Sequence, residues 1–180
     1  MSQRTVILGA GESGTGAAIL AKHLNHDVFV SDFGSIQPKY VTELTAAGIA
    51  FEQGNHTEDD ILNADLAVIS PGIPTKAPIV QKLLNKGVKL ISEIEFGAQH
   101  TDATLIGITG TNGKTTTTLL THHLLNKAGL SVGIAGNIGT SLARQVIQDK
   151  HTHYVIELSS FQLDYMFDTK LDYAVLLNIS

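Results

Sequence analysis

Short apolar runs alternate along this chain with longer mixed stretches, and most runs end in glycine or a polar residue. Arg4 to Gly9, Val28-Phe29-Val30, Ala50 to Glu52, Leu66 to Ser70 and Val88 to Ile91 read as strands. Between them Ala17 to Leu24, Pro38 to Gly48, Glu58 to Asn63 and Ile79 to Gly87 read as helices, the second opened by proline and closed by glycine. Strands of this kind joined by helical crossovers predict a doubly wound parallel sheet, an α/β domain complete by about His100. The hydrophilic Ala98-Gln99-His100-Thr101-Asp102 is the candidate linker, and after it the pattern restarts. Leu105 to Ile108 is a strand, and the spacing of Leu119, Leu120, Leu124 and Leu125 predicts a helix with an apolar face. Ser131 to Ala135, Tyr154 to Ile156 and Tyr173 to Ile179 are further strands, with a helix at Thr140 to Ile147. The predicted domains are therefore 1–100 and 101–180. A parallel strand needs a crossover to cover its face, so a last strand with none after it predicts that the second domain is incomplete at Ser180.

Two of the loops at strand ends carry chemistry. The first, Gly9-Ala10-Gly11-Glu12-Ser13-Gly14, is a GxGxxG fingerprint set between a strand and a helix, and the next strand ends on Asp32, where that fingerprint places an acid for a ribose hydroxyl. The order predicts a Rossmann-like nucleotide site; a tight turn with a capping aspartate is the plain alternative. Glu12 lies where a diphosphate would approach, so either its carboxylate points away or the phosphates sit further off. Ser70-Pro71-Gly72-Ile73-Pro74 is a turn at a third strand end, on the side where open α/β sheets bind ligands.

The second loop follows Leu105 to Ile108 and reads Gly110-Thr111-Asn112-Gly113-Lys114-Thr115-Thr116. Loop N–H groups and the positive end of the following helix would converge on a phosphate, with Lys114 adding charge and the Thr115 hydroxyl placed for Mg²⁺. A strict Walker pattern wants a glycine where Ile108 stands; glycines occupy 107 and 110 instead, one residue off register. The alternative is a glycine turn with a surface lysine. Glu157 ends an apolar strand, the usual place for a direct or indirect Mg²⁺ partner beside such a loop, or else for a turn cap.

Composition narrows the classes. At 180 residues, 43% hydrophobic and 16% charged, the chain can bury a core, and its apolar runs are too short to cross a bilayer. The N-terminus shows no secretory pattern, and the absence of cysteine removes disulfides and thiolate metal sites, so a cytoplasmic protein is expected. A net charge of −5 argues against a non-specific nucleic-acid surface. The eight histidines lack metal-type spacing, and His122-His123 reads as a helix face.

Together, Gly110 to Thr116, Gly136-Asn137-Ile138-Gly139, Ser70 to Ile73 and Glu157-Leu158-Ser159-Ser160-Phe161-Gln162-Leu163 resemble the Mur ligases across the whole chain, and the last run resembles their D-glutamate-adding branch. The resemblance implies a Rossmann-like parallel-sheet domain followed by the first part of a P-loop α/β ATPase domain. By the resemblance the family's metal-binding histidine, the carbamylated lysine after it and its third domain would lie beyond Ser180. This fragment alone is therefore expected not to turn over.

The activity implied is ATP-dependent amide formation between UDP-N-acetylmuramoyl-L-alanine and D-glutamate with Mg²⁺, in peptidoglycan precursor synthesis, by a monomer with no nucleic-acid or membrane partner. By the same resemblance Gly11, Glu12, Ser13, Asp32 and Phe33 would form the UDP pocket, and Gly72 and Asn137 would touch the diphosphate and sugar. Ser159 and Gln162 would line the central cleft. Gly110, Thr111, Asn112, Gly113, Lys114, Thr115 and Thr116 would hold ATP, with Lys114, Thr115 and Glu157 catalytic and the last two on Mg²⁺. A nicotinamide oxidoreductase would use the first loop but leave the second and Glu157 without purpose. A non-catalytic nucleotide-binding regulator would explain both loops, and a different Mur-type ligase would consume another amino acid.

Overall fold

The computed structural model describes residues 2–148 and 150–179. Every strand pairing in it is parallel, as apolar strands joined by crossovers demand. The first sheet uses β1 (Arg4–Leu8), β2 (Asp27–Asp32), β3 (Ala50–Gln53), β4 (Leu66–Ile69) and β5 (Lys89–Ser92), in the order β3-β2-β1-β4-β5. Its helices are α1 (Glu12–His23), α2 (Pro38–Ala46), α3 (Glu58–Ile61) and α4 (Pro78–Asn85), so the doubly wound expectation holds.

The two-residue period of the strands sorts their side chains. Val6, Leu8, Ala67, Ile69 and Leu90 join Ile61 of α3 and Ile79, Val80 and Leu83 of α4 on one face. Ile7, Val30, Val68 and Ile91 face Ala17, Ala18 and Ala21 of α1 and Leu44 of α2 on the other. Helix α1 begins five residues before the predicted start, at Glu12, although this draws two glycines into it. Gly14 is there because a Cβ would meet the Gly9 carbonyl oxygen at 1.8 Å; close packing outweighs its weak helix propensity.

An element absent from the sequence reading, α5 (Glu93–Ala98), follows β5 directly and is capped by Ser92, whose hydroxyl accepts from the Glu95 N–H. The second sheet contains β6 (Thr104–Thr109), β7 (Val132–Gly136), β8 (His153–Glu157) and β9 (Tyr173–Leu176), in the order β7-β8-β6-β9. Helices α6 (Lys114–Lys127), α7 (Leu142–Val146) and α8 (Ser160–Leu163) complete it. The two sheets share one core, in which Ile7 and Ile94 of the first part join Leu142, Ala143, Tyr154 and Ile156 of the second. Chain from the second part also returns to the first: the Glu95 carboxylate accepts from the N–H groups of Phe167, Asp168 and Thr169.

The expected apolar face of α6 is not buried. Leu119, Leu120 and Leu124 are 48%, 54% and 57% exposed, and Thr118 is the helix's buried residue among those described. The helix meets the sheet through the Thr118 side and Leu125, which packs on Ile106, Ile108, Val132 and Val155. The other leucines project from the opposite side, and the residues of β9 are likewise exposed.

Candidate functional site

Sheet order decides where ligands can enter. In the first sheet the chain reverses direction of travel between β1 and β4, and the crevice beyond their carboxyl ends is framed by the Gly9 loop and the Ser70 turn. Gly9 takes φ +87°, which turns the chain out of β1, while the space around a Cβ at Gly11 is empty and leaves its backbone open to a ligand. Asp32 at the end of β2 accepts from Ala10 N–H at 2.7 Å and Gly34 N–H at 2.8 Å, which fixes its carboxylate at the mouth of a 650 Å³ cavity. Phe33 and Gly72 line the same cavity.

Three polar lining residues were not singled out as site residues from the sequence: Asn55, His56 and Glu58. The Phe33 and His56 rings lie 5.6 Å apart, and Phe33 is 71% exposed, so an aromatic surface faces the opening. His56 Nδ1 is 2.6 Å from Ser31 Oγ, whose one proton is donated to Glu52 Oε1 at 2.6 Å. Nδ1 must then carry its own proton, leaving Nε2 as an acceptor. Burial lowers the His56 pKa against the pull of Glu52 and Asp32, which favours that neutral ring. Burial raises the Glu52 pKa, but hydrogen bonds from Ser31 and Thr57 outweigh it and hold the carboxyl below its ordinary value.

The second loop stands at the carboxyl end of β6. Gly113 takes φ +85° at the N-cap of α6, a left-handed turn that glycine adopts without strain, and delivers Lys114 to the first helical position. Lys114 Nζ donates back to the carbonyl oxygens of Gly110 at 2.7 Å and Thr111 at 3.1 Å, closing the loop on its own cation. Asn178 braces it by accepting from Thr111 N–H and Asn112 N–H and donating to Asn112 O. Sequence reasoning missed Asn178, which it read as part of the strand Tyr173 to Ile179; the strand ends at Leu176, and the only signal was a polar residue near the end of that apolar run.

Behind the loop, Thr115 Oγ1 donates to Glu157 Oε2 at 2.6 Å and Asn137 Nδ2 donates to Glu157 Oε1 at 2.8 Å. Glu157 is 1% exposed, so this carboxylate is buried and fully engaged. Thr115 and Glu157, far apart in sequence, are thus brought into contact, whereas Thr116 is exposed on α6. Gly110, Thr111, Lys114 and Ser159 line a 470 Å³ opening with Phe161. Gln162 turns inward instead: its Oε1 accepts from Ser159 N–H and Oγ–H, a capping box that starts α8.

Between the two sites lies a cleft of 220 Å³, with Gly11, Glu12 and Ser13 on one wall and Gly136, Asn137 and Gly139 on the other. Glu12 resolves the tension noted from its position. Its Oε1 accepts from Ser141 N–H at 3.2 Å and Arg144 Nε–H at 3.1 Å, so the charge is directed at α7 and the phosphate approach is left to backbone. Among the described residues no group of three or more acidic, histidine or cysteine side chains could hold a metal, and no helix is long and apolar enough to cross a membrane.

The family described as Mur ligase MurD-like, N-terminal domain, matches residues 3–92, and Mur ligase middle domain matches residues 108–180. UDP-N-acetylmuramoylalanine–D-glutamate ligase of Bacteroides fragilis is 58% identical over 99% of this chain, and that of Cytophaga hutchinsonii is 60% identical over all of it. The chain spans 40% of the length of each of these relatives. Among solved structures, the UDP-N-acetylmuramate:L-alanyl-gamma-D-glutamyl-meso-diaminopimelate ligase of Neisseria meningitides is similar over the whole chain and 61% of its own, at 27% identity and a TM-score of 0.64. UDP-N-acetylmuramate-alanine ligase of Thermotoga maritima, at 18% identity and a TM-score of 0.58, covers 99% of this chain with 42% of its own and shares the fold.

Proposed function

Since the chain belongs to the Mur ligase family, we propose that it forms the first and central parts of an ATP-dependent ligase that joins D-glutamate to UDP-N-acetylmuramoyl-L-alanine. The observation that carries this reading is the Thr115–Glu157–Asn137 cluster behind the Lys114 loop, built on the buried Glu157 carboxylate, with Asn137 also lining the cleft that the Gly11 to Ser13 loop faces. A dinucleotide oxidoreductase has no use for such a cluster.

In this reading the uridine end occupies the Asp32, Phe33 and His56 cavity, and Asp32 receives a ribose hydroxyl. The diphosphate crosses the open backbone at Gly11 and Ser13 toward Asn137. The L-alanyl carboxylate reaches the Lys114 loop and attacks the γ-phosphorus of ATP; the bond to the β-phosphate oxygen breaks and ADP leaves. The amine of D-glutamate then attacks the acyl carbon, phosphate departs with the C–O bonding pair, and the ammonium proton is lost. No enzyme nucleophile is needed. Lys114 releases its two loop carbonyls and donates to the moving phosphoryl group, where fixed cationic donors are worth most. Thr115 Oγ1 and Glu157 Oε2 form an oxygen pair that suits Mg²⁺, which takes few protein ligands beside phosphates and water and would neutralise developing charge there. We take the protein to work as a cytoplasmic monomer on these small molecules.

Thermal stabilisation of this chain by candidate ligands tests the reading, because a ligand that binds only the folded state raises its stability. UDP and UDP-N-acetylmuramoyl-L-alanine should each raise Tm, and NAD should not. A rise with NAD alone would overturn the assignment of the first cavity.

A further inference from the structure

Beside the cleft between the two sites, side chains from the second part of the chain reach the first. Helix α7 is wedged against α1 and α5, with Leu142 and Ala143 fully buried. The fit leaves no slack: a Cβ on Gly16 would lie 1.8 Å from Ser141 Oγ, and one on Gly97 would lie 2.9 Å from Ala143 N. Charge completes the joint. Arg144 extends from α7 to the first part of the chain, its Nε 3.1 Å from Glu12 Oε1 and its Nη1 2.7 Å from Glu43 Oε2. Glu12 also accepts from Ser141 N–H. Glu12 belongs to the glycine wall of the cleft, and Ser141 follows Gly139 of the facing wall by two residues. One arginine thus ties both walls of the cleft together, within a half-buried setting where ion pairs are screened less than at an open surface.

We propose that Arg144, through Glu12 and Glu43, is a positioning residue that sets the separation of the two walls, so that a ligand anchored in the uridine cavity delivers its far end to the Lys114 loop. Arg144 lines neither the Asp32 cavity nor the opening at the Lys114 loop. The proposal rests on the substrate reading above and adds a part to it. It accounts for an acid inside a diphosphate loop: the Glu12 charge is consumed by a cation from the opposite wall.

UDP should need only the first wall, whereas UDP-N-acetylmuramoyl-L-alanine spans both, so the ratio of their dissociation constants reports the alignment. Arg144→Gln is compared with wild type by calorimetric titration of each compound, with a Tm measured for each protein. The proposal expects the UDP constant to stay within about twofold and the advantage of the longer compound over UDP to fall about tenfold, equivalent to about 1.4 kcal/mol. Glu12→Gln, which keeps an acceptor for Ser141 N–H while removing the charge, should shift the ratio in the same direction and covers the case in which Arg144→Gln fails to fold. A lower Tm with an unchanged ratio would make the joint merely structural and overturn the proposal. Equal weakening of both compounds would place the effect in the uridine cavity and also overturn it. Wild-type protein that binds neither compound would instead refute the substrate reading on which the proposal stands.

Discussion

The two glycine loops look alike in sequence and are set among different side chains. The Gly9 to Gly14 loop opens on a cavity whose charged lining is Asp32 and Glu58, with no lysine or arginine among its residues. The Gly110 to Lys114 loop encloses a cation and backs onto a buried carboxylate. Carboxylates and a neutral imidazole suit hydroxyls and a base edge; a lysine beside oxygen donors for a divalent cation suits a phosphoryl group that gains charge. Glycine alone therefore says that backbone will be exposed, and the neighbouring side chains say to what.

On the proposed function, the largest break in this comparison should come from Lys114→Ala in the full-length protein. Loss of the fixed cation is expected to lower kcat about 10³-fold, at the upper end for one stabilising donor, with UDP affinity unaltered. A comparable loss of UDP binding would show that the two sites are not separate.

Gly14→Ala comes next, measured by chemical denaturation. A methyl group 1.8 Å from the Gly9 carbonyl oxygen must displace backbone, at a cost of about 3 kcal/mol. The joint between the loops has a pH signature of similar size. Burial, opposed by the Ala143 N–H and reinforced by the Glu12 charge, pushes the Glu93 pKa up to about 7 from 4.5. The folded protein thus holds a proton that the unfolded chain releases, and the stability linked to it is present below pH 4.5, declines between 4.5 and 7, and is lost above 7. Glu93→Gln should remove this slope and gain up to about 3 kcal/mol relative to wild type at pH 8. Parallel stability curves from pH 4 to 8 would contradict it.

Smaller effects sharpen the contrast. Asp32→Asn keeps one acceptor and is expected to weaken UDP binding about tenfold while leaving Mg-ATP binding unchanged. Gly113→Ala has room, its Cβ approaching Leu177 Cδ1 at 3.5 Å, so its cost is the left-handed φ alone, about 1 kcal/mol. If Gly113→Ala cost as much as Gly14→Ala, the distinction between conformational and packing glycines would fail.

The strands, their parallel arrangement and both loops were legible in the sequence, because apolar runs and glycine spacing are local signals read over a few residues. Thr115 and Glu157 were each named as Mg²⁺ partners, one as a hydroxyl after the glycine loop and the other as a strand-end acid, but their contact with each other was not read from the sequence. Other features had no local signal. Helix α5 was missed because its six residues are held by partners in the second part of the chain, including Ala143, whose N–H donates to Glu93. The α6 leucines have helical spacing, yet spacing alone does not say which side meets the sheet.

The sequence by itself determined the α/β class, the two glycine loops at strand ends and the residue types beside them, since backbone conformation and burial pattern are encoded in neighbouring side chains. The tertiary structure alone decided that Glu12 faces Arg144, that His56 lines the Asp32 cavity and that Asn178 braces the Lys114 loop. Each of these is a contact between segments far apart in the chain, and the direction of a charged or polar side chain follows from the partner that compensates it.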